Sequence, residues 1–180
     1  MERNITHIAL FAALIAALGL IPKFTLAFGV PITAQSMGVM LCGTILGAKR
    51  GGLAVLLFLL IVALGLPLLS GGRGGLGVFA TPSVGFLIGW PAAAFVTGLI
   101  VEKWVGKLAV VATVAAVVGG VGVLYIFGVI GMAVMLDKSI SASLMLVTAF
   151  IPGDLIKAIL TGLVTAALAK SRPASVLSLQ

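Results

Sequence analysis

Apolar runs of about twenty residues recur along the chain with hardly a charge inside them, and no other property narrows its possible folds so far. Only 8% of the 180 residues are charged, eleven Lys and Arg with four Asp and Glu, whereas an ordinary soluble domain carries about 25%. Fifteen charged side chains cannot cover a water-soluble globule of this size, so most of the surface must face lipid. The formal charge of +7 does not indicate nucleic acid, because Lys and Arg fall between the apolar runs instead of gathering on one polar face. One cysteine, Cys42, and one histidine, His7, exclude an internal disulfide framework and a Cys/His metal site. The first apolar run has no small-residue cleavage site ahead of a polar mature domain, so it reads as a membrane helix and not as a signal peptide.

Dividing the chain at its charges, prolines and glycine clusters predicts an all-α, polytopic membrane protein, a single integral membrane domain over 1–180. Six spans are expected, at about 4–21, 32–48, 53–69, 82–101, 108–136 and 143–169. Asn4 or Thr6 is expected to cap the first span and Pro22 to end it. Lys49-Arg50-Gly51-Gly52 is expected to form a tight turn and Pro152-Gly153 to interrupt the sixth span. Ser70 to Gly77 contains five glycines in eight residues and reads as a loop. With the N-terminus inside, Arg3, Lys49, Arg50, Lys103, Lys107, Lys170 and Arg172 are cytoplasmic, against Lys23, Arg73 and Lys138 outside. That imbalance predicts cytoplasmic termini and places the glycine loop, the segment before Pro31 and the start of the sixth span together on the outer face.

Asp154 and Lys157 stand inside the sixth span. An intramembrane charge costs about 2.5–3.5 kcal/mol on insertion scales, so a pair spaced i,i+3 on one helical face marks a ligand site or a self-neutralising ion pair. Arg73, the lone charge of the glycine loop, is either a bidentate partner for a carboxylate or a solvated loop arginine. Thr33, Gln35, Ser36, Thr81 and Ser83 lie at outer helix ends as ligand contacts or caps. Phe79, Phe86 and Trp90 form either a wall for a ring or interfacial anchors. Ala9, Ala13 and Ala17 make a smooth stripe on the first span, suited to internal packing or to docking a separate membrane subunit. No Gly-x-x-x-x-Gly-Lys-Ser/Thr loop occurs, so the chain has no ATPase site of its own. His7 is expected at the opposite membrane side from Ser83 and Asp154, and the four acidic residues form no catalytic pair or metal cluster, which argues against an enzyme.

The order and spacing of several segments resemble the biotin-specific substrate-binding (S) components of energy-coupling-factor transporters, the BioY family. The segments are Val30-Pro31-Ile32-Thr33-Ala34-Gln35, Leu46-Gly47-Ala48-Lys49-Arg50-Gly51, Gly65-Leu66-Pro67 with Gly71 to Gly77, Thr81 to Pro91, and Pro152-Gly153-Asp154-Leu155-Ile156-Lys157. The resemblance extends over about Asn4 to Lys170. Where the family usually has Gly-Pro-Thr-Gly-Gly, this chain has Thr81-Pro82-Ser83-Val84-Gly85. The resemblance implies a six-helix protein of the bacterial cytoplasmic membrane that captures biotin from outside. It further implies partnership with a transmembrane coupling subunit and two cytoplasmic ATP-binding-cassette ATPases, with no cofactor and no metal. On this basis Asp154 and Lys157 line the biotin pocket, the loop around Arg73 closes over it, and the alanine stripe docks the coupling subunit. Gln35, Ser83, Phe79 and Phe86 complete the expected biotin site. Biotin itself has ureido N–H donors and a carbonyl, an apolar thioether ring and a carboxylate. Asp154 suits a ureido N–H, and Lys157 or Arg73 the carbonyl or the carboxylate. The competing expectation is a self-sufficient, proton-coupled secondary transporter with Asp154 as the proton carrier, against which weigh a single intramembrane carboxylate and no evident inverted repeat.

Overall fold

The computed structural model describes residues 2–179, apart from the side chain of Arg3, one of the charges counted inside; Met1 and Gln180 lie outside the description. It is an all-α bundle with one two-residue hairpin. In chain order come α1 (Glu2–Leu18), β1 (Phe24–Thr25) antiparallel to β2 (Pro31–Ile32), α2 (Gln35–Leu46), α3 (Ala48–Ala63) and α4 (Val84–Lys103). After these, α5 (Leu108–Val117) continues through a π-helical turn, Val118–Val123, into α6 (Leu124–Met135). Then α7 (Ile140–Val147) passes through a 3₁₀ turn, Thr148–Phe150, into α8 (Ile151–Ser171).

Three continuous helical stretches, Val84–Lys103, Leu108–Met135 and Ile140–Ser171, are long and apolar enough to cross a membrane, which makes this a multi-pass membrane bundle. The other three predicted spans are shorter, with 17, 12 and 16 residues in α1, α2 and α3, against the 20 or so that cross a hydrocarbon core. For α2 the reason is its position. Ten of its twelve residues are buried, because it packs on α1, α3, α4 and α8 at the centre of the bundle. Lipid is met instead by exposed rows such as Leu53, Leu56 and Leu60 on α3, Ile126, Ile130 and Val134 on α6, and Ile156, Ile159 and Leu163 on α8.

Several predicted boundaries are corrected. Lys49-Arg50-Gly51-Gly52 is not a turn but the first turn of α3; the chain reverses at Gly47, whose φ of 84° and ψ of −178° suit glycine alone. A Cβ at Gly47 would run into the carboxylate of Glu102, whose Oε1 accepts from the Ala48 N–H at 2.9 Å. Gly47→Ala is therefore expected to cost about 1–3 kcal/mol of backbone strain, read as a lower apparent Tm of the detergent-purified protein. A Tm equal to that of the wild type would refute this account of the turn. Thr6 does not cap α1, which begins at Glu2; its Oγ1 donates to the Glu2 carbonyl at 3.0 Å. Asn4 also lies within that helix, which ends at Leu18 in tight turns, well before Pro22. The third helix stops at Ala63, since Gly65 at φ 112° and Pro67 follow. The expected interruption of the sixth span is present, but it lies just ahead of Pro152, in the 3₁₀ turn Thr148–Phe150. Pro152 occupies the first turn of α8, where its missing N–H leaves no bond unmade.

Two ends of the bundle differ. At one, the chain after α8 folds back so that Val176, Leu177 and Ser178 are buried. Ser178 Oγ donates to the Thr44 carbonyl at 2.6 Å, and Arg50 donates to the Leu177 carbonyl at 3.2 Å. The other end carries the β1–β2 hairpin, the glycine segment and the start of α8. There Leu69 and Arg73 form an antiparallel bridge, Leu69 N–H to Arg73 carbonyl at 3.0 Å and the reverse at 3.1 Å, before a 3₁₀ turn at Leu76–Ala80.

Candidate functional site

A cleft opens at the glycine-segment end, with about 520 Å³ of non-atom space that includes its open mouth. Its walls come from the first two turns of three helices, where side chains near a helix start converge under the loops: Gln35 and Ser36 of α2, Phe86, Leu87 and Trp90 of α4, Asp154 and Lys157 of α8. Arg73, Ser83, Thr33, Leu69, Phe150 and Leu124 close the rest.

Asp154 is 6% exposed and lies at the centre of a polar cluster. Lys157 Nζ donates to its Oδ1 at 2.8 Å and to Ser36 Oγ at 3.0 Å. Tyr125 donates its phenolic O–H to Asp154 Oδ2 at 2.8 Å, and Ser36 Oγ lies 3.5 Å from Oδ1. The ion pair that i,i+3 spacing suggested is thus real, but its groups also serve neighbours on α2 and α6 and face the cleft. Each carboxylate oxygen takes about two hydrogen bonds, so Oδ2 has an acceptor site left for a ligand N–H.

Arg73 is placed differently. Its guanidinium is half-buried, burial lowers its pKa from the ordinary value without discharging it, and its two hydrogen bonds, to the Ser70 carbonyl and Ser83 Oγ, are both 3.4 Å long. No carboxylate lies within ion-pair distance of it among the described residues. The cleft therefore presents a neutralised charge pair at one place and an uncompensated cation at another.

The remaining predicted residues divide. Phe86 and Trp90 line the cleft, and the Phe86 ring packs tilted against Phe150 at 5.7 Å and edge-on to Tyr125 at 6.3 Å. Phe79 does not line it; this ring packs from the 3₁₀ turn against the core. Ser83 shares a 2.9 Å hydrogen bond with Thr81, and Thr33 Oγ1 accepts from the Gln35 N–H at 3.2 Å. Gln35 reaches the cleft, but its amide is occupied by backbone groups. Ala9, Ala13 and Ala17 are all exposed on α1, with Phe11, Ala12 and Ile15 buried behind them. His7 is not among the residues around the cleft.

Tyr125 escaped the sequence reading. The available signal was that the chain's single tyrosine lies deep in a long apolar run, where a phenolic O–H must find a partner. Tyr125→Phe keeps the ring and removes one bond to an ionised acceptor, which is expected to cost about 1.5–3 kcal/mol. An unlowered apparent Tm of the ligand-free variant would show that the Asp154 bond contributes nothing.

The fold is shared with a known one. A 2.1 Å crystal structure of the S-component for biotin from an ECF-type ABC transporter superposes with a TM-score of 0.88 at 34% identity, covering 94% of this chain and 92% of that one. The biotin transporter BioY of Rhodobacter capsulatus is 50% identical over 99% of both chains. That of Rhizobium etli is 52% identical over 89% of this chain and 90% of its own. The model of the BioY family matches residues 2–174, and with relatives this similar over nearly the whole length, the chain belongs to the BioY family.

Proposed function

We propose that this chain is the biotin-capturing S component of an energy-coupling-factor uptake system, and that the cleft between α2, α4, α6 and α8 is its biotin pocket. The observation that carries the assignment of ends is the charge arrangement. The Asp154–Lys157 pair is neutral overall and offers an acceptor beside a donor, which suits the N–H and carbonyl of an uncharged ureido ring. Arg73 has no acidic partner among the described residues, so its fork is available to the biotin carboxylate. Phe86, Trp90 and Phe150 supply the apolar wall against the thioether ring. Ser83 hydrogen-bonds Arg73 and holds it toward the cleft, and Phe79 packs against the core outside it.

In this reading α1 to α4, α5 with α6, and α7 with α8 make six membrane crossings within one membrane domain. Both termini are cytoplasmic and the pocket opens outwards. Arg50 and Glu102 meet the folded-back tail at the opposite end from the cleft, in keeping with the charge imbalance that puts Lys49, Arg50, Lys103 and Lys107 inside. With no nucleotide loop in the chain, energy comes from separate ATPases through a coupling subunit. The exposed stripe Ala9, Ala13 and Ala17 is the smooth surface for that contact.

The test is calorimetric titration of the purified, detergent-solubilised protein with biotin. Saturable one-site binding supports the reading. Absence of binding to a well-folded protein would overturn it.

A further inference from the structure

Gln35 begins α2, is 1% exposed, and touches three separate parts of the backbone. Its Nε2 donates to the Ile15 carbonyl of α1 and to the Leu68 carbonyl, both at 3.0 Å, and its Oε1 accepts from the Ser70 N–H at 2.9 Å. A primary amide has two donors and two acceptor sites, so both donors and one acceptor are already engaged and a ligand can use one lone pair at most. The junction is tight on its other side as well. Ser70 Oγ donates to the Gly19 carbonyl at 3.4 Å, and a Cβ at Gly19 would lie 2.5 Å from the Leu68 oxygen and 2.8 Å from Gln35 Nε2. Leu68 and Ser70 flank Leu69, the residue bridged to Arg73, and Arg73 Nε itself returns to the Ser70 carbonyl.

We infer that Gln35 is a positioning residue that clamps the Leu68–Arg73 hairpin to the end of α1 and so sets where Arg73 stands over the cleft and how readily the hairpin lifts. Because one amide holds both Ile15 and the hairpin, a displacement of α1 is passed to the hairpin and to Arg73. The ligand in this inference rests on the biotin reading; the clamp rests on the hydrogen bonds alone.

Two measurements test it on the purified full chain: hydrogen exchange of residues 68–75 without ligand, and the dissociation rate of labelled biotin. The variants are Gln35→Ala, Gly19→Ala, Arg73→Ala and the Gln35→Ala/Arg73→Ala double substitution. Gln35→Ala is expected to speed exchange in the hairpin and biotin release by about tenfold or more, since it removes all three hydrogen bonds and one buried bond alone is worth about a factor of ten. Gly19→Ala, outside the cleft, should do both in the same direction. Once Arg73 is alanine, Gln35→Ala should change release by less than about twofold, since the group it positions is gone. Unchanged hairpin exchange in Gln35→Ala overturns the clamp. Fully additive effects on release overturn the positioning role and make Gln35 a direct contact. If Gln35→Ala exchanges fast throughout the bundle, Gly19→Ala decides in its place. If wild-type protein fails to bind biotin, the ligand assignment falls, and hairpin exchange alone decides the clamp.

Discussion

Asp154→Asn is expected to weaken biotin binding by about a hundredfold or more, the scale on which truncating a buried, hydrogen-bonded charge pair acts. The substitution is nearly isosteric, so shape is kept while chemistry is lost. An amide places an NH₂ where one carboxylate oxygen accepted from Lys157 or Tyr125, bonds of 2.8 Å each. Lys157 is then left mostly buried with Ser36 Oγ as its polar neighbour, and its uncompensated charge meets a ureido ring that no longer has an ionised acceptor. The protein should still purify as a folded species, because Ser36, Tyr125 and Lys157 keep their backbone positions on three helices. Calorimetry alongside a thermal scan separates the two effects. Wild-type affinity in Asp154→Asn would remove this cluster from the pocket.

Arg73→Ala is expected to reduce biotin affinity by about ten- to a hundredfold, the range for losing a charge-assisted, two-pronged contact at a partly exposed site. Arg73→Lys should recover only part of it, since an ammonium lacks the planar fork. The decisive ligand is biotin amide, which keeps the rings and lacks the negative charge. Wild-type protein should bind it less tightly than biotin, whereas Arg73→Ala should bind the two almost equally. Increased ionic strength should weaken biotin more than the amide. If Arg73→Ala still distinguished biotin from its amide as sharply as the wild type does, the carboxylate would be met elsewhere, with Lys157 the next candidate.

How much of this was legible beforehand depended on whether a residue stood out against its own neighbours. Asp154 and Lys157 did, as charges in an apolar helix, and so did Arg73 among glycines; each lines the cleft. Gln35 stood out as well, but its partners Ile15, Leu68 and Ser70 lie 20 to 35 positions away, and contacts of that kind leave no local trace. Tyr125 is hidden by its setting, because it lies deep in an apolar run and not near a helix end, where an aromatic residue stands out. The misplaced turn at residues 49–52 has a related cause. A Lys-Arg pair marks where chain meets water and a Gly-Gly pair suggests a bend, yet the actual reversal uses one glycine two residues earlier, in a conformation that composition does not reveal. The α2 span is the shortest of the six, and ten of its twelve residues face protein instead of lipid.

The folded-back tail has a consequence for traffic through the molecule. Below the cleft, α2 and α8 meet in a closed seam where Met40 packs on Thr161 and Thr44 on Thr165, all inaccessible, and Ser178 caps its lower rim by donating to the Thr44 carbonyl. With that seam closed, the cleft opens at the end that carries Arg73. If the cleft is the biotin pocket proposed above, a ligand enters and leaves this conformation at the Arg73 end.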